Sequence, residues 1–225
     1  MAIRPYYLKS SLPFNDKHHK GKLTVEGKGI ITTKPDKSSI TLGIITEDQD
    51  VIKAQNKNSI ITNNVIISLR KSGISNNQIQ TISYTIQPLY QYVDEQNVLT
   101  GYKISHILEV TLFDLDLIGE VYKVAVSSGA NIAEGLKFSL SNENYYYDKA
   151  LKKALKQATL KAISLGQQMG VTINTIPIKI TENSSPQPLR DVMYSFTAET
   201  NLHDTPPIQQ RDISIEANLT AEYYY

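Results

Sequence analysis

A chain of 225 residues suits one large domain or two small ones, and a net charge of +1 gives no overall attraction to nucleic acid or to an anionic membrane. The absence of cysteine excludes disulfides, thiolate zinc sites and cysteine nucleophiles. No stretch is long and apolar enough for a transmembrane helix. Residues 1–21 are polar and lack the apolar stretch of a signal peptide. We therefore expect a cytoplasmic protein, or an exported one whose signal segment is not part of this sequence.

The N-terminal part predicts a polar arm followed by two strands. His18 and His19 lie in the arm, residues 1–21, where a solvated tail is favoured over a metal pair because no further ligands are near. Residues 23–33 and 39–46 read as strands joined by a proline-aspartate turn. Gly27 and Gly29 lack the third glycine and the helix of a nucleotide-binding loop, so we expect a bulge or a close backbone approach there.

Residues 50–72 predict a helix that ends at Gly73, and residues 79–92 predict a long strand. The apolar face of the helix holds Ala54, Ile61, Val65 and Leu69. A polar turn is expected over residues 94–100, before a second strand, helix and strand within residues 100–141. The order of strand, helix, Ser-Gly stop and strand thus occurs twice, which indicates an internal half-repeat.

A third helix is predicted over residues 145–169, with a buried stripe formed by Leu151, Ala154, Ala158, Ala162, Leu165 and Met169. Its lysines are interpreted as a solvated face, with binding of an anionic partner as the alternative. Residues 171–181 predict a strand, which Pro177 places at an edge. Residues 182–212 form a proline-rich segment, and residues 213–225 alternate as a clean strand.

These elements predict an α+β fold of two small two-layer lobes, each with strand-helix-strand half-repeats, in which three main helices pack on mostly antiparallel sheets. We expect an N-terminal arm at residues 1–21, a main lobe from residues 22–89 and 142–225, and an inserted middle lobe at residues 90–141. The C-terminal strand is expected to return to the lobe that holds the first strands.

Six segments, taken in order and spacing, resemble one family. They are LTVEGKGIITTKPDKSSITLGIITED, IQTISYTIQPLY, Gly101-Tyr102, DLDLIG, the SSGAN segment leading to Leu140, and the alanine-rich helix with Lys161-Ala162. The chain is identified as a member of the SIMPL-domain family, a domain of unknown function that is similar to periplasmic immunogenic proteins and to proteins linked to oxidative-stress defence. The resemblance covers roughly residues 22–182 and the last strand. It implies an α+β subunit, a ring-like or channel-like homo-oligomer in some members, and no established catalytic residues. Members often carry asparagine where this chain has His106.

Catalytic and binding motifs are sparse in the sequence. His106 and Glu109 are three apart in a strand and so face opposite sides, and the pair His203-Asp204 lies in the proline-rich segment. We predict no catalytic, cofactor or metal residues, and no nucleic-acid partner, because no basic stripe with interleaved aromatics is present. The tyrosines cluster at two places that could form interfaces: Tyr145, Tyr146, Tyr147, Tyr223, Tyr224 and Tyr225.

The sequence therefore predicts a non-enzymatic protein that acts through self-assembly or protein interaction, as a homo-oligomer, in envelope or stress physiology. One alternative is a small-molecule-binding or stress-defence protein with a ligand site between the lobes. A second is an enzyme of unknown type, which would need a cleft that gathers His106 or His203 with carboxylates.

Overall fold

A computed structural model describes residues 21–183 and 210–225. His18, His19, His203 and nearly all of the proline-rich segment lie outside these residues. The described residues form seven strands and three α-helices: β1 Lys22–Thr33, β2 Lys37–Asp48, α1 Val51–Lys71, β3 Ile79–Val93, β4 Gln96–Leu112, α2 Ile118–Ser127, β5 Ile132–Ser139, α3 Glu143–Met169, β6 Lys179–Glu182 and β7 Ile213–Tyr224. None of the helices in this part of the chain combines the length and apolar character needed to cross a membrane.

The ends of the long helices follow from local chemistry. The Asp50 carboxylate accepts hydrogen bonds from the backbone N–H groups of Ile52 and Lys53, which caps the start of α1. After α1, Gly73 takes a φ of +92°, and after α3, Gly170 takes a φ of +72°. These left-handed conformations suit glycine, so both predicted helix ends are confirmed.

The larger sheet has the strand order β3-β4-β2-β5, and every neighbouring pair is antiparallel. Helices α1 and α2 cover one face, and the core between them and the sheet is built from leucine, isoleucine and valine. Each half-repeat, β2-α1-β3 and β4-α2-β5, leaves room between its two strands for one strand of the other half. This interleaving is the β-α-β-β-α-β arrangement of ferredoxin-like folds.

The smaller sheet has the order β1-β7-β6, with α3 packed on one face. β7 alternates as the sequence predicts, because Ile215, Ala217, Leu219, Ala221 and Tyr223 are buried toward α3. Its pairing with β1 over the full length of both strands confirms that the C-terminal strand returns to the first one.

The sheets do not follow the predicted lobe limits. β2 and β3 come from the predicted main lobe, yet they share a sheet with β4 and β5 from the predicted middle lobe. The reason is the interleaving, since each half-repeat fills the gap left by the other. It stays a prediction that residues 22–89 with 142–225 form one folding unit and residues 90–141 another.

Three local predictions are corrected. The polar turn at residues 94–100 is a two-residue turn at Asp94 and Glu95, both with positive φ, so β4 begins at Gln96. The strand predicted at residues 171–181 is limited to β6, since only Lys179–Glu182 pairs with β7. The buried stripe of α3 is Tyr147, Ala150, Ala154, Ala158, Ala162 and Gly166, whereas Leu165 and Met169 are exposed.

Candidate functional site

His106 lies in β4 on the face that α1 covers. Its Nδ1 is 3.4 Å from the Thr62 hydroxyl of α1, and its Nε2 is 3.0 Å from the Thr81 hydroxyl of β3. The Tyr84 ring meets the imidazole edge-on, with 5.2 Å between ring centroids. The histidine therefore joins the helix layer to two strands of the sheet.

A β-bulge at Ile82 makes this arrangement possible. Thr81 pairs with Leu108 and Ser83 with Ile107, so Ile82 is an extra residue without a partner on β4. In a regular strand, Thr81 and Tyr84 would point to opposite faces because they are three residues apart. The bulge turns the strand so that both side chains flank His106.

The polar groups beside His106 satisfy one another. Asn58 donates from Nδ2 to the Ile44 carbonyl at 2.8 Å, and the Thr62 hydroxyl donates to Asn58 Oδ1 at 3.4 Å. A neutral imidazole that carries its proton on Nδ1 fits these bonds, because Nδ1 can then donate to Thr62 while Nε2 accepts from Thr81. Burial lowers the pKa of the His106 imidazole, which favours that neutral form.

This geometry fits a structural histidine better than a catalytic one. Both ring nitrogens bond to threonine hydroxyls, and Glu109 points to the opposite face of the sheet, where it pairs with Thr41 and Gln80. Within residues 21–183 and 210–225, no group of three or more His, Asp or Glu side chains could hold a metal ion.

An open polar groove lies where the chain passes from the larger sheet to α3. Its lining is Lys37 together with residues 140–144. Nearby, the Asp36 carboxylate accepts from the backbone N–H and the hydroxyl of Ser141, at 2.6 and 2.7 Å. These bonds fix the connection between the two sheets. The predicted ligand site between the lobes stays a prediction, and binding in this groove is the way to test it. The contacts in the groove favour no particular ligand.

The predicted tyrosine interfaces differ in exposure. Tyr223 is fully buried with its hydroxyl 2.9 Å from the Thr159 hydroxyl, and Tyr147 is buried with its hydroxyl donating to Glu182. Tyr145 and Tyr225 are 50% and 37% exposed, while Tyr146 and Tyr224 are partly buried. Of the six tyrosines, only Tyr145, Tyr146, Tyr224 and Tyr225 have ring surface that a partner could contact. Their role as interface residues stays a prediction.

The surface that the sequence prediction missed is β3. α1 packs on β2 and β4, and α2 packs on β5, so neither helix covers this outermost strand. All β3 residues except Ile79 and Leu89 are exposed. The pattern of apolar residues indicated a strand, but it could not show that the helices lie elsewhere.

The ends of β3 and β4 extend beyond the sheet as a two-stranded arm. β2 reaches only to the pair between Asp48 and Tyr102, so residues 89–101, here called the hairpin arm, pair only with each other. Its exposed apolar side chains are Tyr90, Tyr92, Val93, Val98 and Leu99, with exposed fractions between 43% and 69%. A two-stranded hairpin without a core is marginal in water, so this arm is a candidate contact surface.

The edge of β1, by contrast, is closed by side chains of α3. Lys153 and Lys161 donate to the carbonyls of Ile30 and Glu26, at 2.9 and 2.5 Å. The side-chain oxygen of Gln157 accepts from the backbone N–H of Lys28 at 2.6 Å. Two lysines that the sequence indicated as a solvated face therefore protect a sheet edge.

The fold and these surfaces define an α+β protein with a structural histidine cluster and an uncovered apolar hairpin. The family model of SIMPL, described as a protein of unknown function (DUF541), matches residues 23–223. The chain belongs to the SIMPL family, which confirms the resemblance found in the sequence.

The chain is similar to curated proteins whose names carry no enzymatic activity. It is 28% identical over 170 residues to the 26 kDa periplasmic immunogenic protein of Brucella melitensis, covering 73% of this chain and 68% of that protein. It is 22% identical over 187 residues to the uncharacterized protein YggE of Escherichia coli K12, covering 81% and 75%. The YggE of Edwardsiella ictaluri is 24% identical over 155 residues, covering 68% and 65%.

Proposed function

We propose that the protein acts without catalysis, through self-assembly, and that β3 and the hairpin arm form the contact surface. The main observation behind this proposal is the hairpin arm. It exposes five large apolar side chains on two strands that pack on no core. Association would bury these side chains and stabilise the arm by the same contacts.

The exposed area supports a stable contact. Tyr84, Tyr90 and Tyr92 are 42%, 61% and 69% exposed. Since a tyrosine buries about 200 Å² when fully covered, these three rings alone leave roughly 350 Å² accessible. Half-exposed aliphatic residues on the same two strands add to this area.

The relatives support a place for this assembly in the cell envelope. The Brucella melitensis relative is named as a periplasmic protein. A role in stress physiology has no further support beyond the resemblance stated above.

Light scattering coupled to size-exclusion chromatography tests the proposal. A monomer has a mass of 25.2 kDa, and we expect a multiple of this mass that persists on dilution. The double variant Tyr90→Ser, Tyr92→Ser should lower the mass toward that of the monomer. Tyr145→Ser tests the alternative contact, because Tyr145 is also half-exposed but lies on α3. A wild-type mass near 25 kDa at all concentrations would refute self-assembly, and loss of assembly in Tyr145→Ser alone would move the contact to α3.

A further inference from the structure

The two sheets have four edge strands, and β3 differs from the other three in charge. β1 carries Lys22, Glu26 and Lys28, β5 carries Glu134 and Lys137, and β6 carries Lys179 and Glu182. Charged side chains on an edge discourage pairing with another strand. The fifteen residues of β3, IQTISYTIQPLYQYV, include no charged residue.

The backbone of β3 is also open to pairing. Among the described residues, the only strand beside it is β4, and the opposite edge has no strand partner. The bulge at Ile82 and the missing N–H of Pro88 limit regular pairing to residues 83–87. This five-residue stretch is centred on Thr85.

We propose that β3 pairs antiparallel with β3 of a second copy of this chain, about a two-fold axis at Thr85. The pairing rests on the self-assembly proposed above and places a contact at the edge of β3, next to the hairpin arm. In this register Thr85 lies opposite Thr85 of the second copy, Tyr84 opposite Ile86, and Ser83 opposite Gln87. Two four-stranded sheets then become one sheet of eight strands.

A second copy suits this edge for two reasons. On the side of the sheet that carries the helices, the register places Tyr84 against the β-branched Ile86. On the other side it places polar residues against each other. Cross-strand pairs of these kinds stabilise sheets. Because β3 is neutral, it offers no charge that would select a charged peptide, whereas an identical neutral strand matches it along its length.

Single cysteines test the register without interference, because the chain has no cysteine of its own. Opposed Cα atoms in an antiparallel pair are about 5 Å apart, which allows a disulfide. Oxidised Thr85→Cys should therefore run as a covalent dimer. Ser83→Cys and Gln87→Cys should stay unlinked alone, because each residue and its own copy would be about 14 Å apart. The double variant Ser83→Cys, Gln87→Cys should link. Linking of all three single variants would indicate parallel pairing and overturn the proposal.

A charge at the axis gives a second test. Thr85→Lys places two like charges opposite each other, so the measured mass should fall toward that of the monomer. Thr24→Lys is the matched control, since Thr24 is an exposed threonine on the edge strand β1. An equimolar mixture of Thr85→Lys and Thr85→Glu should restore the dimer, because opposite charges then meet. Circular dichroism checks that each variant remains folded.

The two proposals fail in different ways. A monomeric wild type overturns both and leaves the edge of β3 to a different partner. An assembled wild type in which Thr85→Cys does not link and Thr85→Lys keeps its mass overturns the β3 pairing alone. A mixture of Thr85→Lys and Thr85→Glu that stays monomeric contradicts the axis at Thr85.

Discussion

Gly29 of β1 lies directly beneath Ala150 of α3. A Cβ added to Gly29 would be 1.9 Å from the carbonyl oxygen of Ala150, and one added to Gly27 would be 2.1 Å from that of Ala154. β1 pairs with β7 in unbroken register, so no bulge is present at either glycine. Of the two expectations from the sequence, the close backbone approach is therefore confirmed.

Replacing Gly29 with alanine should destabilise the smaller sheet. The helix and the strand would have to separate, and overpacking of this kind costs on the order of 1–3 kcal/mol in the free energy of unfolding. Thr24→Ala, an exposed change in the same strand, should stay within about 0.5 kcal/mol. Urea unfolding of the two variants gives the comparison, and equal midpoints would show that α3 can move away from β1 without loss.

Ala158→Leu should destabilise the protein more than Lys156→Leu. Ala158 is fully buried against β1, where its Cβ would be 2.9 Å from a Cβ on Gly27, whereas Lys156 is exposed. We expect a loss of about 1–3 kcal/mol for the first change and about 0.5 kcal/mol or less for the second. Thermal or urea unfolding measures both. A larger effect of Lys156→Leu would mean that the packed face of α3 has been assigned wrongly.

His106 should make stability fall as the pH falls. Its folded-state pKa is lowered by burial, so the unfolded chain takes up the proton first, at a pH near the ordinary value of about 6.5. The stabilising contribution is fully present above that value and is lost as the pH falls through it and toward the lower folded-state pKa. In His106→Asn the side chain cannot titrate.

We therefore expect urea midpoints measured at pH 7.5 and pH 5 to differ more in the wild type than in His106→Asn. The amide of the introduced asparagine can bond to Thr62 or Thr81. If the urea midpoint changes by the same amount between the two pH values in both proteins, groups other than His106 account for the pH dependence.

The C-terminal tyrosines need a finer test than truncation. Deleting residues 221–225 would remove Ala221 and Tyr223, which are fully buried in the smaller sheet, so the deletion should unfold that sheet whatever the assembly does. Tyr225→Ser keeps the buried residues and removes a ring that is 37% exposed and lies over Gly21. If Tyr225 forms a contact between subunits, light scattering should show a lower mass for this variant, and an unchanged mass would exclude it from the interface.

Local chemistry made much of the fold predictable. Asp50, Gly73 and Gly170 fix helix ends through capping and left-handed backbone, and these depend on nearby residues alone. The turn predicted at residues 94–100 was too long, because neither Asp94 nor Glu95 is the glycine that usually marks a two-residue turn with positive φ. The strand predicted at residues 171–181 was too long, since the pairing of β6 depends on β7, more than thirty residues later in the chain.

The candidate site was less predictable than the fold. The sequence predicted one long strand over residues 79–92, but the bulge leaves Ile82 unpaired while Tyr84 pairs with His106. Nothing near Ile82 in the sequence signals a bulge. The exposure of β3 depends on where α1 and α2 pack, which is a long-range property that periodicity does not contain.

The bonds that close β1 depend on the positive charge and the donor hydrogens of two lysines. Acetylation of Lys153 and Lys161 would remove the charge and leave one donor on each side chain. The remaining N–H could still bond to the carbonyl of Ile30 or Glu26, but without the positive charge each bond would be weaker. Weaker bonds would loosen the contact between α3 and the edge of β1, so acetylation of both lysines should lower the urea midpoint of unfolding.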